Sequence, residues 1–297
     1  SLALAAGATA RAPAFAAESR LARGLEVGIV LSPLTERTRP GALSRQRETV
    51  EEARAAGASV RLLGDGDLAR TERLAGLDVI VLPYVAAMNL RQRQVLAGWV
   101  RAGGGLVGLY FAGRDDERGR PLVGQGVGRN YLGRSRYGGR TEWADLSPIF
   151  SAEFLNDVRQ KRARVALLPG HPLTQQAAIA YGGRLPQLTI ERETGVWTEL
   201  AIPRGNARPL LVYRSVERPR DPRARPGSVI GWTSVAGRGR AVYVGFDLMD
   251  YWEAYASTAY YEPDVAARNA RAGTAFFRAA LRWAAGPRAV TLAAARS

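Results

Sequence analysis

The residues with the richest chemistry lie in one stretch, GFDLMDYWEAYASTAYYEPD, which covers residues 245–264. It mixes carboxylates with aromatic rings, and a sugar pocket needs both, because rings stack on the apolar faces of sugars and carboxylates bind hydroxyls. Two carboxylates at a suitable separation can also hydrolyse a glycosidic bond. The same side chains are typical of a subunit interface or a packed core, so three interpretations stay open. The candidate catalytic residues are Asp247, Glu253 and Glu262, and the candidate ligand-binding residues are Asp250, Tyr251, Trp252, Tyr260 and Tyr261.

Three further candidates lie outside that stretch. Asp115 and Asp116 follow an apolar run that ends at a small-residue corner, Ala112-Gly113, where carboxylates can serve as a general acid or base or hold a ligand. The neighbouring arginines equally predict a solvated loop in which these charges are neutralised. His171, in the sequence GHPLT, is a candidate acid–base contact, although a single histidine is more often structural.

The composition excludes several classes of site. The chain has no cysteine, so it forms neither disulfides nor a thiolate nucleophile, and its one histidine excludes a multi-histidine metal site. We expect no metal and no cofactor. The formal net charge is +15, but the arginines are spread along the chain rather than gathered in one segment, which does not favour nucleic acid. No apolar run approaches the roughly 18 residues of a membrane span.

Apolar runs and helical patterns alternate in the first part of the chain. Short β-branched runs predict strands over 25–32, 58–64, 77–83 and 106–111, and helices are predicted over 42–57 and 89–105. Such alternation indicates a parallel sheet covered on both faces, with ligands beyond the carboxyl ends of its strands.

The second part of the chain has a different pattern. Residues 114–160 lack periodicity and predict long loops, whereas alternating runs over 186–245 predict a mostly antiparallel β region. An amphipathic helix is expected from residue 264 to residue 286, because its apolar side chains recur at helical spacing.

One long segment resembles a known superfamily. The sequence LDVIVLPYVAAMNLRQRQVLAGWVRAGGGLVGLYFAGRDDERGRP, residues 77–121, is similar to class I glutamine-amidotransferase-like proteins, and more narrowly to the beta-galactosidase trimerisation domain. GRGRAVYVGFDL, residues 237–248, resembles a closing strand of the same group, and the terminal FFRAALRWAAG fits its last helix. The resemblance implies an α/β, flavodoxin-like parallel sheet with helices on both faces, plus an antiparallel β extension.

The resemblance also bears on catalysis. Active amidotransferases of this superfamily carry a cysteine at the elbow after the fourth strand, where this chain has Tyr110-Phe111-Ala112. A thiolate mechanism is therefore impossible, and the chain is not a glutamine amidotransferase. The superfamily includes noncatalytic members, the trimerisation domain among them. The elbow geometry is expected to persist without its chemistry.

These observations lead to one expected organisation and two functions. Residues 1–20, with an A-x-A site at Ala14–Ala16, predict an export-signal remnant or a disordered tail, hence a periplasmic or extracellular protein. Residues 21–297 are expected to form one domain with a loop- and β-rich insertion at about 114–245. We expect a noncatalytic module that is carbohydrate-associated or mediates oligomerisation, with a saccharide or a second copy as partner. The alternative is a carboxylate-dependent hydrolase acting on a carbohydrate-like substrate.

Overall fold

The computed structural model describes residues 24–122, 144–219, 221–252 and 262–295, with side chains described except at 191–195 and 287–295. The predicted export segment lies outside these residues. In chain order the elements are β1 (Glu26–Val30), α1 (Pro33–Thr38), α2 (Ala42–Ala55), β2 (Ser59–Leu63), β3 (Val79–Pro83), α3 (Leu90–Arg101), β4 (Gly105–Leu109), α4 (Ser147–Phe150), β5 (Ala152–Leu167), α5 (Pro172–Ala180), β6 (Gln187–Pro203), β7 (Arg208–Val216), β8 (Val229–Ala236), β9 (Gly239–Val244) and α6 (Pro263–Ala295).

The described strands join one mixed sheet, in the order β2-β1-β3-β4-β9-β8-β6-β5-β7. The pairs from β2 to β9 in that order are parallel, and those from β9 onward are antiparallel. β7 also pairs with β8, so β5, β6, β7 and β8 close on themselves as an antiparallel barrel. The predicted fold class is therefore wrong, because the strands do not form a flavodoxin-like parallel sheet with helices on both faces.

The long hairpin of β5 and β6 explains this difference. The two strands have 16 and 17 residues, and their register shifts between Phe154 and Asn156 and again between Gln160 and Arg162. Such bulges bend and twist a hairpin, which lets β7 reach β8 and leaves fewer open edges. β5 begins at Ala152, inside the segment that the sequence pattern assigned to loops.

Alternating side chains of the parallel strands divide the core into two clusters. Val27 and Val81 pack with helices α2 and α6, whereas Ile80 and Leu106 pack with α3 and α4. Phe276 on α6 is fully buried, as the apolar periodicity of that segment predicts. None of the described helices combines the length and the apolar composition that crossing a membrane requires.

Gly239, the first residue of β9, allows a close approach between that strand and helix α3. A Cβ at this position would overlap the carbonyl oxygens of Val100 and Gly104, which belong to the last turn of α3 and to the connection that leads into β4. We expect Gly239→Ala to lower the free energy of unfolding by about 1–3 kcal/mol, measured by urea denaturation. The control is Gly98→Ala, at an exposed position inside α3 where a Cβ meets no atom within 4 Å. Equal effects of the two substitutions would contradict the prediction.

Candidate ligand-binding cleft

A cleft of about 370 Å³ opens beyond the carboxyl ends of the parallel strands. Strands β3, β4 and β9 deliver residues to it, and the face of the β5–β6 hairpin forms another wall. This is the edge at which ligands bind in sheets with parallel strands. The described lining residues are Arg39, Arg45, Tyr84, Tyr110, Phe111, Arg114, Asp157, Val196, Trp197, Asp247 and Asp250.

Three aromatic residues of the cleft have a strained backbone conformation. Tyr84 follows β3, and Tyr110 and Phe111 follow β4; their φ angles are 52°, 40° and 60°. Bulky residues rarely adopt this left-handed region, and the strain persists only where surrounding contacts impose it. The backbone N–H of Tyr84 donates to Leu109 O at 2.9 Å, and that of Tyr110 donates to Val244 O at 2.8 Å. The elbow predicted after the fourth strand is therefore present, with aromatic side chains at its corner.

The three rings form a continuous aromatic floor. The Tyr84 and Tyr110 rings are stacked with centroids 5.6 Å apart, and the Tyr110 and Phe111 centroids are 4.0 Å apart. The guanidinium groups of Arg39 and Arg114 each lie 4.5 Å from the Phe111 centroid. Cation–π contacts of this kind hold both the arginines and the ring in fixed positions.

A buried cluster of charges supports the elbow from behind. Arg114 lies 2.5 Å from an oxygen of Asp157 and 3.3 Å from one of Glu199. Glu199 is fully buried; it accepts a hydrogen bond from the backbone N–H of Phe111 at 3.0 Å and another from the hydroxyl of Tyr243 at 2.6 Å. Glu199 thus ties the strained Phe111 backbone to strand β6.

One guanidinium in this cluster serves two carboxylates. Burial raises the pKa of Glu199 to about 7; the Arg114 charge opposes that rise and the Asp157 charge adds to it. Burial by itself would lower the pKa of Arg114, but the carboxylates of Asp157 and Glu199 outweigh it and raise that pKa. Arg114 therefore stays charged, and Glu199 is the member of the cluster that takes up a proton near neutral pH.

Two arginines from the α1–α2 region form the rim. Arg39 contacts Asp115 Oδ2 through Nε at 3.0 Å and Nη2 at 2.6 Å. Arg45 pairs with Asp247 and, at 3.0 Å, with Asp250, and its guanidinium lies 5.6 Å from the Tyr84 ring centroid. Both arginine side chains are about one quarter exposed, so part of each guanidinium faces the cleft.

Three buried polar atoms on lining residues lack a hydrogen-bond partner: Arg114 Nε, Asp157 Oδ1 and Asp247 Oδ1. Such atoms are rare in folded proteins, and each carries a desolvation cost of about 1–3 kcal/mol. One is a donor and two are acceptors. These atoms have almost no accessible surface, so a ligand in the cleft reaches them only if the lining side chains shift.

The fold resembles one portion of several beta-galactosidases. The enzyme from Rahnella sp. R3 is 16% identical, with a TM-score of 0.53 over 75% of this chain and 29% of that chain. Gan42B, a GH42 beta-galactosidase from G. stearothermophilus, is 16% identical, with a TM-score of 0.51 over 80% of this chain and 30% of that chain. The chain shares its fold with a part of these enzymes. It spans about 30% of their length.

One further match covers most of both chains. A putative ThuA-like protein from Bacteroides uniformis is 14% identical and matches 76% of this chain and 84% of its own, with a TM-score of 0.47. No protein family model matches the chain, and no curated protein does.

The structure brings some of the predicted site residues together. Asp247 and Asp250 line the cleft, where both pair with Arg45. Asp115 is fully buried and lies behind the rim, holding Arg39. Asp116 instead closes a turn, because it accepts from the backbone N–H groups of residues 118 and 120 and pairs with the Arg120 side chain.

The remaining predicted residues lie elsewhere. Tyr251 and Trp252 are buried, with Tyr251 packed on Phe246 and Trp252 on Phe277. His171 caps helix α5, where Nδ1 accepts from the backbone N–H of Leu173 at 3.1 Å and Nε2 lies 3.2 Å from the Thr233 hydroxyl. Burial and the charge of Arg240 lower the pKa of His171. Glu262 is exposed, and Glu253, Tyr260 and Tyr261 lie outside the described residues.

Sequence reasoning missed most of the cleft. The positions of Tyr84 and Tyr110 directly after apolar strands were a usable signal, since ligands gather at such ends. No sequence signal pointed to Asp157, Trp197 or Glu199. These residues belong to the β5–β6 hairpin, and only the strand pairing in three dimensions places that hairpin over the elbow. Arg39 and Arg45 belong to the connection after β1, where nothing local distinguishes them from other arginines.

Proposed function

We propose that this protein is a noncatalytic module that binds a saccharide in the cleft. The observation that supports this most directly is the polar lining of the cleft, where the guanidinium donors of Arg39 and Arg45 lie beside the carboxylate acceptors of Asp247 and Asp250. A carboxylate ligand would suit the donors alone and an ammonium group the acceptors alone, whereas sugar hydroxyls suit both. The Tyr84 ring, which is only partly buried, lines the cleft, and the apolar face of a sugar can contact it there.

Charge balance in the cleft favours a neutral ligand over an anion. Each arginine of the lining already contacts carboxylates: Arg39 contacts Asp115, Arg45 contacts two aspartates of the β9–α6 connection, and Arg114 contacts Asp157 and Glu199. An anionic ligand would compete with these pairs. A polyol adds hydrogen bonds without breaking them.

The hydrolase alternative needs two accessible carboxyl groups, one of which is protonated. Glu199 has a raised pKa, but it is fully buried and receives donors from Phe111, Tyr243 and Arg114. Glu262 and His171 are not among the lining residues. The cleft therefore favours binding over turnover.

Asp247→Asn tests the proposal. Because a hydrogen bond from a hydroxyl to a charged acceptor contributes about 1.5–3 kcal/mol, we expect the variant to bind saccharide roughly 10- to 100-fold more weakly. Binding is measured by titration calorimetry against neutral mono- and oligosaccharides and uronic acids, and released reducing sugar is assayed in the same samples. Glu262→Gln, the same change at an exposed site, is the control and should bind as the wild type does.

Three outcomes would redirect the interpretation. Release of reducing sugar by the wild type would support the hydrolase. Tighter binding of uronic acids than of their neutral counterparts would contradict the charge argument. No binding across the panel, together with a stable oligomer in light scattering, would support an interaction module instead.

A further inference from the structure

Trp197 is an exposed aromatic residue at the edge of the cleft. Its side chain is 47% exposed, whereas its neighbours Val196 and Thr198 on β6 are buried. Leaving this much of a tryptophan side chain in water is unfavourable, because burial of its large apolar ring would stabilise the fold. Among the residues that the structure describes, the other large apolar side chains of comparable exposure lie on other elements and do not line the cleft; they are Leu62, Leu90, Ile179 and Val235.

The ring is held in place by the opposite strand. Arg159 of β5 is the direct cross-strand partner of Trp197, and its guanidinium lies 5.9 Å from the ring centroid. Cross-strand pairs on one face of a hairpin restrain each other, and a cation–π contact adds to that restraint. A ring restrained before binding loses little freedom when a ligand stacks on it.

The position of Trp197 relates it to the floor of the cleft. Asp157 pairs with Glu199 in the same hairpin, and Arg159 pairs with Trp197 two residues further along. Residues two apart on a strand share a face and lie about 7 Å from each other. The same face of the hairpin therefore carries the Asp157 side chain, which lines the cleft, and, one step outward, the exposed indole ring.

We propose that Trp197 forms a second subsite at the rim, so that the cleft binds a chain of at least two sugar units. One unit occupies the polar cleft between Asp157 and Asp247, and the next stacks on the indole ring. The inference rests on the proposed function and specifies its ligand class. Trp197 determines preference for chain length, while the polar residues of the cleft determine whether a sugar binds at all.

The test compares matched pairs of ligands on the full chain. The pairs are galactose with galactobiose, glucose with cellobiose, and galacturonate with digalacturonate, titrated by calorimetry and by tryptophan fluorescence. For the pair that binds, we expect wild type to bind the disaccharide at least fivefold more tightly than the monosaccharide. Trp197→Ala should reduce that ratio to below twofold while leaving monosaccharide affinity unchanged. Trp197→Phe, which retains a ring, should keep most of the preference.

The control substitution is Ile179→Ala, which removes another exposed apolar side chain and should leave both affinities unchanged. Equal wild-type affinity for the two members of a pair would overturn the rim subsite and leave the proposed function standing. The same conclusion holds if Trp197→Ala weakens both members equally. Absence of binding by both members of every pair would overturn the proposed function and this inference with it.

Discussion

Arg114→Met is expected to lower the free energy of unfolding by about 3–5 kcal/mol at pH 7, in urea denaturation followed by circular dichroism. Removing the guanidinium leaves Asp157 and Glu199 in a buried site without the positive charge that both contact. The Arg114 charge opposes the rise in the pKa of Glu199, so without it Glu199 keeps its proton at pH 7, and Asp157 is the carboxylate left without its cation. Stranding a buried charge costs more than losing the contact itself. The methionine side chain fills much of the vacated volume, so the loss reports on charge rather than on packing.

Two further variants separate these contributions. Arg118→Met makes the same change at an exposed position nearby and should alter stability by less than about 0.5 kcal/mol. Adding Asp157→Asn and Glu199→Gln to Arg114→Met removes the stranded charge and should recover a large part of the loss, since a neutral buried set needs no cation. If the triple variant is no more stable than Arg114→Met, packing rather than charge explains the role of Arg114.

Glu199→Gln is expected to remove a pH dependence from the stability of the fold. Burial raises the pKa of Glu199 from an ordinary value of 4.5 to about 7. Between these values the folded protein holds a proton that the unfolded chain has released. The stabilisation from this group is therefore fully present below pH 4.5 and is lost as the pH rises toward 7.

The size of that loss is on the order of a few kcal/mol across the window. Glutamine does not titrate, so the stability of Glu199→Gln relative to wild type should increase steadily from pH 4.5 to pH 7 and level off above it. Taking the difference between the two proteins cancels the titration of the other carboxyl groups. Melting temperatures measured at half-unit pH steps give the curve.

The control for this experiment is Glu117→Gln, at an exposed carboxylate close to the same elbow. The difference in stability between this control variant and wild type should not change over the same pH range. If the stability difference between Glu199→Gln and wild type is also independent of pH, Glu199 is ionised throughout this range, and the Arg114 charge offsets the full cost of burying that carboxylate.

Local sequence patterns were enough to predict the helices and strands whose conformation depends on residues close together in the chain. The apolar runs at 77–83 and 106–111 correspond to β3 and β4, and Asn89 caps α3 with Gln92 in a capping box. The alternating runs over 186–245 predicted strands that pair in antiparallel fashion. Each of these signals depends on spacing within about 20 residues, which a single sequence displays.

Only the tertiary structure decided how these elements close and what they bring together. β7 pairs with β8 to close the barrel, and this depends on bulges in a long hairpin that leave no mark in the hydrophobic pattern. The tertiary structure also decided where the candidate site residues lie: Asp247 and Asp250 line the cleft, but Tyr251 and Trp252 pack in the core.

The composition alone determined that this protein has no cysteine chemistry, and the strand ends indicated where a ligand would lie. The sequence could not indicate that Arg114 contacts Glu199. The two residues are 85 positions apart in the sequence, and a contact between such distant segments depends on how the whole sheet folds. Nor could the sequence indicate a raised pKa or an exposed tryptophan at a rim, since burial is a property of the packed structure. Residue types are local, whereas burial, pairing and charge balance arise when distant segments meet.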